Sequence, residues 1–254
     1  MRENVSVLEF GTLIFFATLL RYILLAGIAF LLFYVIFKKK FLLSKIQQKF
    51  PKNKDYFREI GYSFITFLIF SLVGVGLYNP KVRPYTNTYF QISDYGYLYL
   101  FFSFVLMIII HDTYFYWAHR FMHHPKVFRF FHYVHHQSTN PSPWASFSFQ
   151  PLEAVVEAGI FIIFAFSIPL HFYVLLAFLI FMTAYNVYGH LGWELYPKKF
   201  EKSSLGKWIN TSISHNLHHQ YFKGNYGLYF MFWDRWMGTV SKNYAETFES
   251  TPRP

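Results

Sequence analysis

The chain contains no cysteine, and it carries few charges of either sign. Its 254 residues include 13 acidic and 23 basic side chains, so only 14% of the chain is charged. The absence of cysteine excludes disulfide bonds, thiolate zinc sites and cysteine-ligated iron–sulfur clusters within this chain. Any metal site in this sequence must therefore use other ligands.

Apolar and aromatic side chains are abundant instead. Hydrophobic residues make up 54% of the chain, with 34 Phe and 21 Tyr, which is more apolar than a typical soluble domain. The formal charge of +10 is compatible with nucleic-acid binding, but such surfaces need broad exposed basic area and the long apolar runs argue against it. We therefore expect no nucleic-acid partner, and we interpret the basic residues as loops that flank membrane spans.

Long apolar runs predict an all-α, multi-span integral membrane protein. A helix that crosses a membrane needs about 20 apolar residues. Runs that reach or approach this length occupy residues 10–37, 62–78, 95–110, 155–168 and 172–188. Only three residues separate the last two runs, which predicts a tight helical hairpin that enters the membrane.

The basic residues after the first run set the expected orientation. Lys38, Lys39 and Lys40 end that run, and five more basic residues follow up to Arg58. Because Lys and Arg are enriched in cytoplasmic loops, this segment should be cytoplasmic, and its apolar residues between positions 41 and 50 predict a short interfacial helix. The topology then places the histidine clusters on the cytoplasmic side, in a histidine-rich helical cap over the transmembrane helices.

Three regions are expected along the chain. They are the N-terminal spans with the basic loop at 1–94, a histidine-bearing domain at 95–240, and a polar tail at 241–254 that is frayed from Glu246 onward. No helix breaker lies between Leu98 and His124, so the third span should continue as one long helix that ends at Pro125. Residues 126–136 should then form a second, shorter helix.

The strongest signal in the sequence is the repeated spacing of histidines. Three clusters have members three or four residues apart, namely His119 and His123; His132, His135 and His136; and His215, His218 and His219. On a helix these separations place side chains on one face. Imidazoles stacked on one face are hard to explain as packing and easy to explain as metal ligands. His190, at the end of the hairpin, reaches the same side of the membrane by topology.

Nine histidines are therefore candidate metal ligands, the eight clustered ones and His190. Nine is too many for one ion and suits two. Imidazole binds iron, zinc, copper and nickel, but a nitrogen-rich site for two metals suits activation of dioxygen by iron, because zinc has no redox chemistry. The Glu-x-x-His pairs of soluble di-iron bundles and the His-Glu-x-x-His signature of metalloproteases are absent from the sequence.

Further residues are expected to support the metal site rather than to bind metal. These are His111, Asp112, Arg120, His124, Asn186 and Asp234. Metal-bound histidines usually give their second ring N–H to a carboxylate or carbonyl, so the two aspartates, Glu153 and Glu194 can serve as partners, with a solvated position for Glu153 an equal alternative. Arg120 is expected to pair with one of these acids, and His171 to be a structural residue of the outer turn. No side chain outside the metal centre is predicted to react with substrate.

These residues resemble the histidine boxes of a known family. The segments 119–123, 132–136 and 215–219 match the HxxxH, HxxHH and HxxHH boxes of the fatty acid hydroxylase/sterol desaturase superfamily. Further similar elements are Asn186 with His190-Leu191-Gly192, Asn225-Tyr226-Gly227, and Trp233-Asp234-Arg235 with Gly238-Thr239. The resemblance covers roughly residues 98–240 and three boxes in order make it specific.

Members of that family are integral membrane di-iron oxygenases, and the resemblance implies the same here. It implies two iron ions held by the nine histidines (with zinc in isolated protein), dioxygen as co-substrate, and hydroxylation or desaturation of a sterol, fatty-acyl or related membrane lipid. Electrons would come from a separate donor of the ferredoxin or cytochrome type. Some fatty-acyl hydroxylases of the family have histidine where this chain has Asn186, which favours the sterol-desaturase-like branch.

Two functions of other classes remain as alternatives. A membrane metal-binding or transport protein would also use histidines, but transporters place their ligands within the spans near the membrane midplane. A zinc hydrolase at the membrane surface would need far fewer ligands and a general base. Both alternatives can be separated from an oxygenase by metal content and by the dependence of lipid oxidation on dioxygen.

Overall fold

The computed structural model describes residues 6–254, and most of this part of the chain is helical. Four of its helices are long and apolar enough to cross a membrane. They are α1 (Val7–Phe30, continued by a π-helical turn, Leu31–Ile36), α2 (Asn53–Tyr78), α3 (Gly96–Met122) and α7 (Phe172–Gly189). The all-α membrane fold expected from the sequence is confirmed. The long α3 ends three residues before Pro125, as predicted.

The helical hairpin reaches as deep as the other spans. It consists of α6 (Pro151–Ser167) and α7, and the turn between them holds the short strand β2 (Leu170–His171). This strand pairs in parallel with β1 (Thr88–Tyr89), which lies in the connection between α2 and α3. The turn of the hairpin is therefore level with the end of α2 and the beginning of α3.

The opposite ends of the helices carry the histidines and the basic loop. Lys45, in the loop that follows α1, forms an isolated antiparallel bridge with Trp193, three residues beyond His190. The C-terminal ends of α3 and α7 thus lie on the same side as the basic loop, and the cap described below covers them. The structure agrees with the expectation that all histidine clusters share one side.

Short helices form the cap on this side. They are α4 (Phe128–Phe131), α5 (Tyr133–His136), α8 (Ser212–Tyr221), α9 (Phe232–Trp236) and α10 (Tyr244–Ser250). A 3₁₀ segment, Pro143–Phe147, descends from the cap into the bundle. The buried Phe147 packs there against Tyr22 and Phe67, and the Tyr22 hydroxyl donates to the Trp144 carbonyl at 2.8 Å. This contact fixes the height of the cap over the spans.

Two local helix predictions are wrong. Residues 126–136 do not form one helix, because His132 has a φ of −129° and separates two single-turn helices, α4 and α5. The apolar residues between positions 41 and 50 form only a 3₁₀ turn, Leu42–Ser44. In that loop tertiary contacts override the amphipathic pattern, since Lys45 turns inward and Trp193 donates to the Phe41 carbonyl at 2.8 Å.

The polar tail is not frayed. Its helix α10 buries Tyr244 and Phe248 against the cap. Beyond it, the guanidinium of Arg253 donates to the carbonyls of Phe248 and Tyr196 at 3.0 and 2.6 Å. The buried apolar area of Tyr244 and Phe248 stabilises the tail, although its overall composition is polar.

Candidate metal centre

The nine candidate histidines come together in two groups beneath the cap. The first group consists of His119, His123, His132, His136 and His218. The second group consists of His135, His190, His215 and His219. Within each group the potential ligand nitrogens lie within 4.8 Å of one another. Each group can hold one metal ion, so the arrangement suits two ions.

The break at His132 explains how one cluster serves both groups. His132 and His136 point into the first group, whereas His135 points into the second. The third cluster divides in the same way, because His218 joins the first group and its neighbours His215 and His219 join the second. The helical spacing alone suggests that residues three and four apart face one ion. In the structure they are divided between the two groups.

Each group contains a nearly equilateral triangle of ring nitrogens. The Nε2 atoms of the first triangle are 3.1 Å apart in every pair and belong to His123, His136 and His218. The Nε2 atoms of the second are 3.1–3.2 Å apart and belong to His190, His215 and His219. The centre of such a triangle lies about 1.8 Å from each nitrogen, close to an imidazole–metal bond of about 2.0–2.1 Å. The size of either triangle therefore suits a metal ion held by three imidazoles.

Hydrogen bonds determine which ring nitrogen faces the triangles. Four rings direct Nδ1 at a backbone carbonyl, His119 to Tyr226, His190 to Asn186, His218 to Gly224 and His219 to Ser138, at 2.7–3.0 Å. A carbonyl oxygen can only accept, so in each neutral ring Nδ1 carries the hydrogen and Nε2 presents its lone pair. These bonds select the tautomer and aim the ring.

The resulting contacts are unfavourable without a cation. The Nε2 atoms of His190 and His219 lie 3.2 Å apart, and since both present lone pairs, no hydrogen bond can join them. The Nε2 atoms of His119 and His132 are buried without any partner, which costs free energy in a dry interior. A metal ion in each group would satisfy all of these atoms, so the residues present fit two metal ions.

Burial keeps the imidazoles neutral, as metal ligation requires. For His190, burial lowers the pKa to about 4. For His215 and His219, burial first and the neighbouring imidazoles second hold the pKa well below the usual value. At neutral pH these rings carry no proton to compete with a metal ion.

Glu153 supports the first group from the N-terminus of α6. Its Oε1 accepts from His132 Nδ1 at 2.6 Å, and its Oε2 accepts from the Gln150 backbone N–H at 3.3 Å. Both side chains of the pair with His132 are almost completely buried. Of the two roles that the sequence left open for Glu153, the structure selects the partner of a histidine and not a solvated position.

A tight loop after α8 supplies two of the acceptor carbonyls. Gly224 has a φ of +74°, and a Cβ there would lie 2.3 Å from the Thr239 carbonyl, so only glycine fits. Asp234 holds the loop from the other side, accepting from the backbone N–H groups of Tyr226 and Gly227 at 2.9 and 2.8 Å. Asp234 thus holds the loop whose Tyr226 and Gly224 carbonyls contact His119 and His218.

A buried carboxylate on α2 supports the second group. Glu59 accepts from the hydroxyls of Ser138, at 2.7 Å, and of Ser142. Arg58 also donates to the Ser138 hydroxyl at 3.1 Å, and the Ser138 carbonyl receives His219 Nδ1. Sequence reasoning missed this role of Glu59, because Glu59 precedes the apolar run 62–78 and follows the charged residues of the basic loop.

His111 and Asp112 lie in α3 below the histidine groups and belong to neither. His111 Nδ1 is 2.9 Å from the Tyr229 hydroxyl. Asp112 accepts from the backbone N–H groups of Tyr229 and Phe230 at 2.8 and 3.1 Å. Both residues tie the segment that precedes α9 to α3, so they support the cap and do not contact a candidate ligand.

The remaining supporting residues behave differently from one another. Asn186 holds His190 through its backbone carbonyl, while its side chain donates to the Ser146 carbonyl at 2.6 Å. Arg120 donates to the Tyr116 hydroxyl at 3.1 Å. Among the described residues no carboxylate lies within ion-pair distance of Arg120, so its expected pairing with an acid is wrong.

Three polar residues singled out in the sequence lie away from the centre. His124 is exposed on the surface, because it points away from its neighbour His123, and it supports neither group. Glu194 caps the beginning of α8 by accepting from the Ile213 N–H at 3.1 Å. His171 is buried in the turn of the hairpin, as expected of a structural residue, and contacts the Phe90 carbonyl at 3.1 Å.

Comparison with known proteins places this centre in a family. The sequence pattern of the fatty acid hydroxylase family matches residues 104–239, which include all nine histidines. The chain belongs to the fatty acid hydroxylase family. The resemblance noted in the sequence is thereby confirmed. No solved structure matches the chain.

Similar curated members of the fatty acid hydroxylase family are sterol enzymes. A Delta(7)-sterol 5(6)-desaturase of Gibberella zeae is 27% identical over 94% of this chain and 69% of its own length. Lathosterol oxidases of Mus musculus and Homo sapiens are each 32% identical, over 79% and 77% of this chain and 65% and 64% of their own lengths. The chain thus spans about two thirds of the length of these relatives. They agree with the sterol-desaturase-like branch.

Proposed function

We propose that this protein oxidises a membrane lipid with dioxygen at two iron ions held by the nine histidines. The observation that carries the proposal is the pair of Nε2 triangles, with buried imidazoles whose lone pairs converge without hydrogen-bond partners. Bound iron would supply the one-electron chemistry that dioxygen activation requires. We further propose that residues 95–240 form the catalytic domain, between the N-terminal spans and the tail.

The chain's own residues have three tasks in this reaction. The acceptor carbonyls and Glu153 hold each imidazole in one tautomer and orientation. The cap buries the two groups and excludes water from them, which limits side reactions. The bundle brings the lipid chain from the membrane to the ends of α3 and α7, where the histidines lie.

The two alternative functions are less consistent with this arrangement. The histidines lie at the ends of the spans and not near their midpoints, which disfavours transport. Nine nitrogen ligands in two groups exceed what a hydrolytic zinc site uses. The curated relatives are named for sterol desaturation and lathosterol oxidation, which supports an oxidoreductase with a lipid substrate. A sterol is therefore the proposed substrate class.

We propose that the histidine groups face the cytoplasm. Eight basic residues lie between Lys38 and Arg58, on the same side as the cap, whereas only Lys81 and Arg83 lie in the connection between α2 and α3. This asymmetry matches the bias of Lys and Arg toward cytoplasmic loops. Reductant would therefore reach the centre from the cytoplasm.

A cleft on the cap side is the proposed docking site for a separate, acidic electron carrier. It has a volume of about 610 Å³, and Lys54, Phe222 and His136 are among its lining residues, as are Arg58 and Asp55, which form an ion pair at 2.8 Å. His136 belongs to the first triangle, so the cleft leads within one side chain of the proposed iron site. Exposed Lys126, Arg129 and Lys223 lie beside the lining residues Phe128 and Phe222. A basic rim speeds encounter with a carrier of opposite charge, such as an acidic ferredoxin or cytochrome.

Anaerobic purification followed by metal analysis and turnover tests the proposed function. We expect two iron ions per chain and oxidation of lathosterol that requires both dioxygen and a reductant. His215→Ala should remove one metal position and abolish oxidation, whereas His171→Ala, at the far end of the hairpin, should leave the iron content unchanged. A single tightly bound zinc with hydrolytic activity, or ion flux without lipid oxidation, would contradict the proposal.

A further inference from the structure

Four acidic residues are buried in the helices that enter the membrane, and one of them has no partner. Glu59 binds Ser138 and Ser142, Asp112 binds two backbone N–H groups, and Glu153 binds His132 and Gln150 N. Glu157 in α6 is only 7% exposed. Among the described residues, none forms a hydrogen bond or an ion pair with the carboxyl group of Glu157.

A carboxyl group in this position is costly unless something binds it. Burying a polar group without a hydrogen bond costs a few kcal/mol, and an ionised carboxylate costs more. A neighbouring donor, the Tyr114 hydroxyl, is committed elsewhere, because it donates to the Val156 carbonyl at 2.6 Å. The neighbours of Glu157 on the buried face of α6, Ala154 and Ala158, have apolar side chains that offer it no hydrogen bond.

The position of Glu157 relates it directly to the metal centre. It follows Glu153 by four residues, so both side chains lie on one face of α6, about 6 Å apart along the helix axis. Glu153 holds His132 of the first group. Glu157 therefore lies one helical turn deeper in the membrane than the residue that touches a candidate iron ligand.

Glu157 also faces the interior of the bundle and not the lipid. Burial raises the pKa of Tyr229 well above its usual value, and the nearby carboxyl groups of Asp112 and Glu157 raise it further. The Tyr229 hydroxyl contacts His111, two turns before His119 on α3. The carboxyl of Glu157 thus lies in the interior beneath the histidine groups, near Asp112 and Tyr229.

We propose that Glu157 binds the hydroxyl group of the lipid substrate and thereby selects hydroxyl-bearing lipids of the sterol class. This inference rests on the proposed function. A protonated carboxyl group donates one hydrogen bond and accepts another, and a hydroxyl group does the same. Phosphate or carboxylate headgroups would be repelled if Glu157 ionises, and an apolar chain end would leave it unpaired.

The spacing between Glu153 and Glu157 predicts which carbon of the substrate reacts. A hydroxyl bound by Glu157 lies about one helical turn, ~6 Å along the axis, below Glu153, which contacts His132. The oxidised C–H bond should therefore lie within a few carbon atoms of the hydroxyl-bearing carbon. In a sterol, the hydroxyl and the 5(6) bond belong to adjoining rings. The relative from Gibberella zeae is named for desaturation at that bond.

Two pairs of probes test Glu157 with and without turnover. They are lathosterol with its 3-methyl ether, and octadecanol with methyl octadecyl ether; in each pair only the first can donate a hydrogen bond. Binding is measured without dioxygen or reductant, as the shift of the melting temperature of the purified protein, and KM and kcat are measured with both present. The variants are Glu157→Met, Glu157→Gln and the lipid-facing control Val155→Met.

We expect the wild type to bind lathosterol at least tenfold more tightly than its ether, because the ether leaves Glu157 unpaired. Glu157→Met should lose this preference with its effect mainly on KM, Glu157→Gln should keep most of it, and Val155→Met should behave as wild type. Equal binding of the hydroxyl and ether members of both pairs by the wild type would overturn the inference, as would an equal loss for both members in Glu157→Met. If the preference is found but no lipid is oxidised, the proposed function fails and the hydroxyl site stands.

Discussion

At the scale of single residues, the two oxygens of Glu153 perform separate tasks. One orients His132 and the other caps α6. Glu153→Ala should lower metal affinity about tenfold to a hundredfold, because the imidazole loses the partner that fixes its tautomer. Competition with a chelator measures this affinity. Leu152→Ala is the control, since it truncates an exposed side chain in the same first turn of α6; an equal loss in both variants would contradict the role assigned to Glu153.

Single residues also show what the sequence can and cannot predict. Eight of the nine histidines were predicted from their spacing and His190 from the topology, and the structure brings all nine together beneath the cap. Their division into two groups was not predicted, because it depends on the break at His132. At that residue φ leaves the helical region, and neither glycine nor proline signals the break in the sequence. The carbonyls of Gly224, Tyr226 and Ser138 could not be found either, because a backbone acceptor carries no side-chain signature.

At the scale of elements, the loop from Gly224 to Gly227 depends on Asp234. Its carboxylate accepts three hydrogen bonds, from two backbone N–H groups and from the Thr239 hydroxyl at 2.6 Å. Asp234→Asn keeps the size but replaces one acceptor oxygen with a donor, which should destabilise the protein by about 1–3 kcal/mol. The melting temperature and the metal content of this variant should both decrease. Thr239→Val, which removes only one of the three donors, should show the smaller change in both.

The loop after α1 contains a buried lysine that gives stability a pH dependence. The Lys45 ammonium donates to the Asn140 side chain at 3.0 Å and lies 5.3 Å from the Trp193 ring, and burial lowers its pKa to about 7. The unfolded chain holds this proton up to a pH of about 10.4. Between these values the unfolded state binds more protons, so the contribution of Lys45 to stability rises with pH.

Lys45→Met tests this linkage. At pH 7 the variant should melt a few degrees above the wild type, because it no longer buries an ammonium group, and the difference should shrink toward pH 9. Exposed Lys49→Met is the control and should follow the wild type across the range. A difference that stays constant with pH would show that packing and not protonation distinguishes Lys45.

The spans illustrate the other side of prediction from sequence. Their existence follows from hydropathy, and α1, α2, α3 and α7 appear where the apolar runs lie. The depth of the hairpin cannot be predicted from hydropathy, because α6 has only 17 residues. It became clear from the pairing of Thr88–Tyr89 with Leu170–His171, a contact between segments that are more than 80 residues apart.

At the scale of the whole molecule, the absence of cysteine makes orientation directly measurable. Lys39→Cys and Lys81→Cys place single thiols on the exposed loops at opposite ends of α2. A membrane-impermeant maleimide should label Lys81→Cys in intact cells and Lys39→Cys only after permeabilisation. The cysteine-free wild type is the control for background. The reverse pattern would place the histidine groups outside the cytoplasm.

Charge reversal at the cleft tests the proposed carrier site. Lys54→Glu should slow reduction of the metal centre by an acidic carrier about tenfold at low salt, and the deficit should diminish as salt screens the charges. Reduction by dithionite, which needs no docking surface, should not change. Lys198→Glu makes the same charge change on an exposed residue outside the lining of the cleft. An equal effect of both variants would indicate general electrostatics and not a docking site.

The division of two histidine clusters between the two metal positions has a consequence for assembly. Neighbouring residues of α5 and of α8 serve different ions, so the first ion to bind also orders the backbone that carries ligands for the second. Loading should therefore be cooperative, with the half-filled protein scarce at every metal concentration. The chain would then pass from empty to complete in one step.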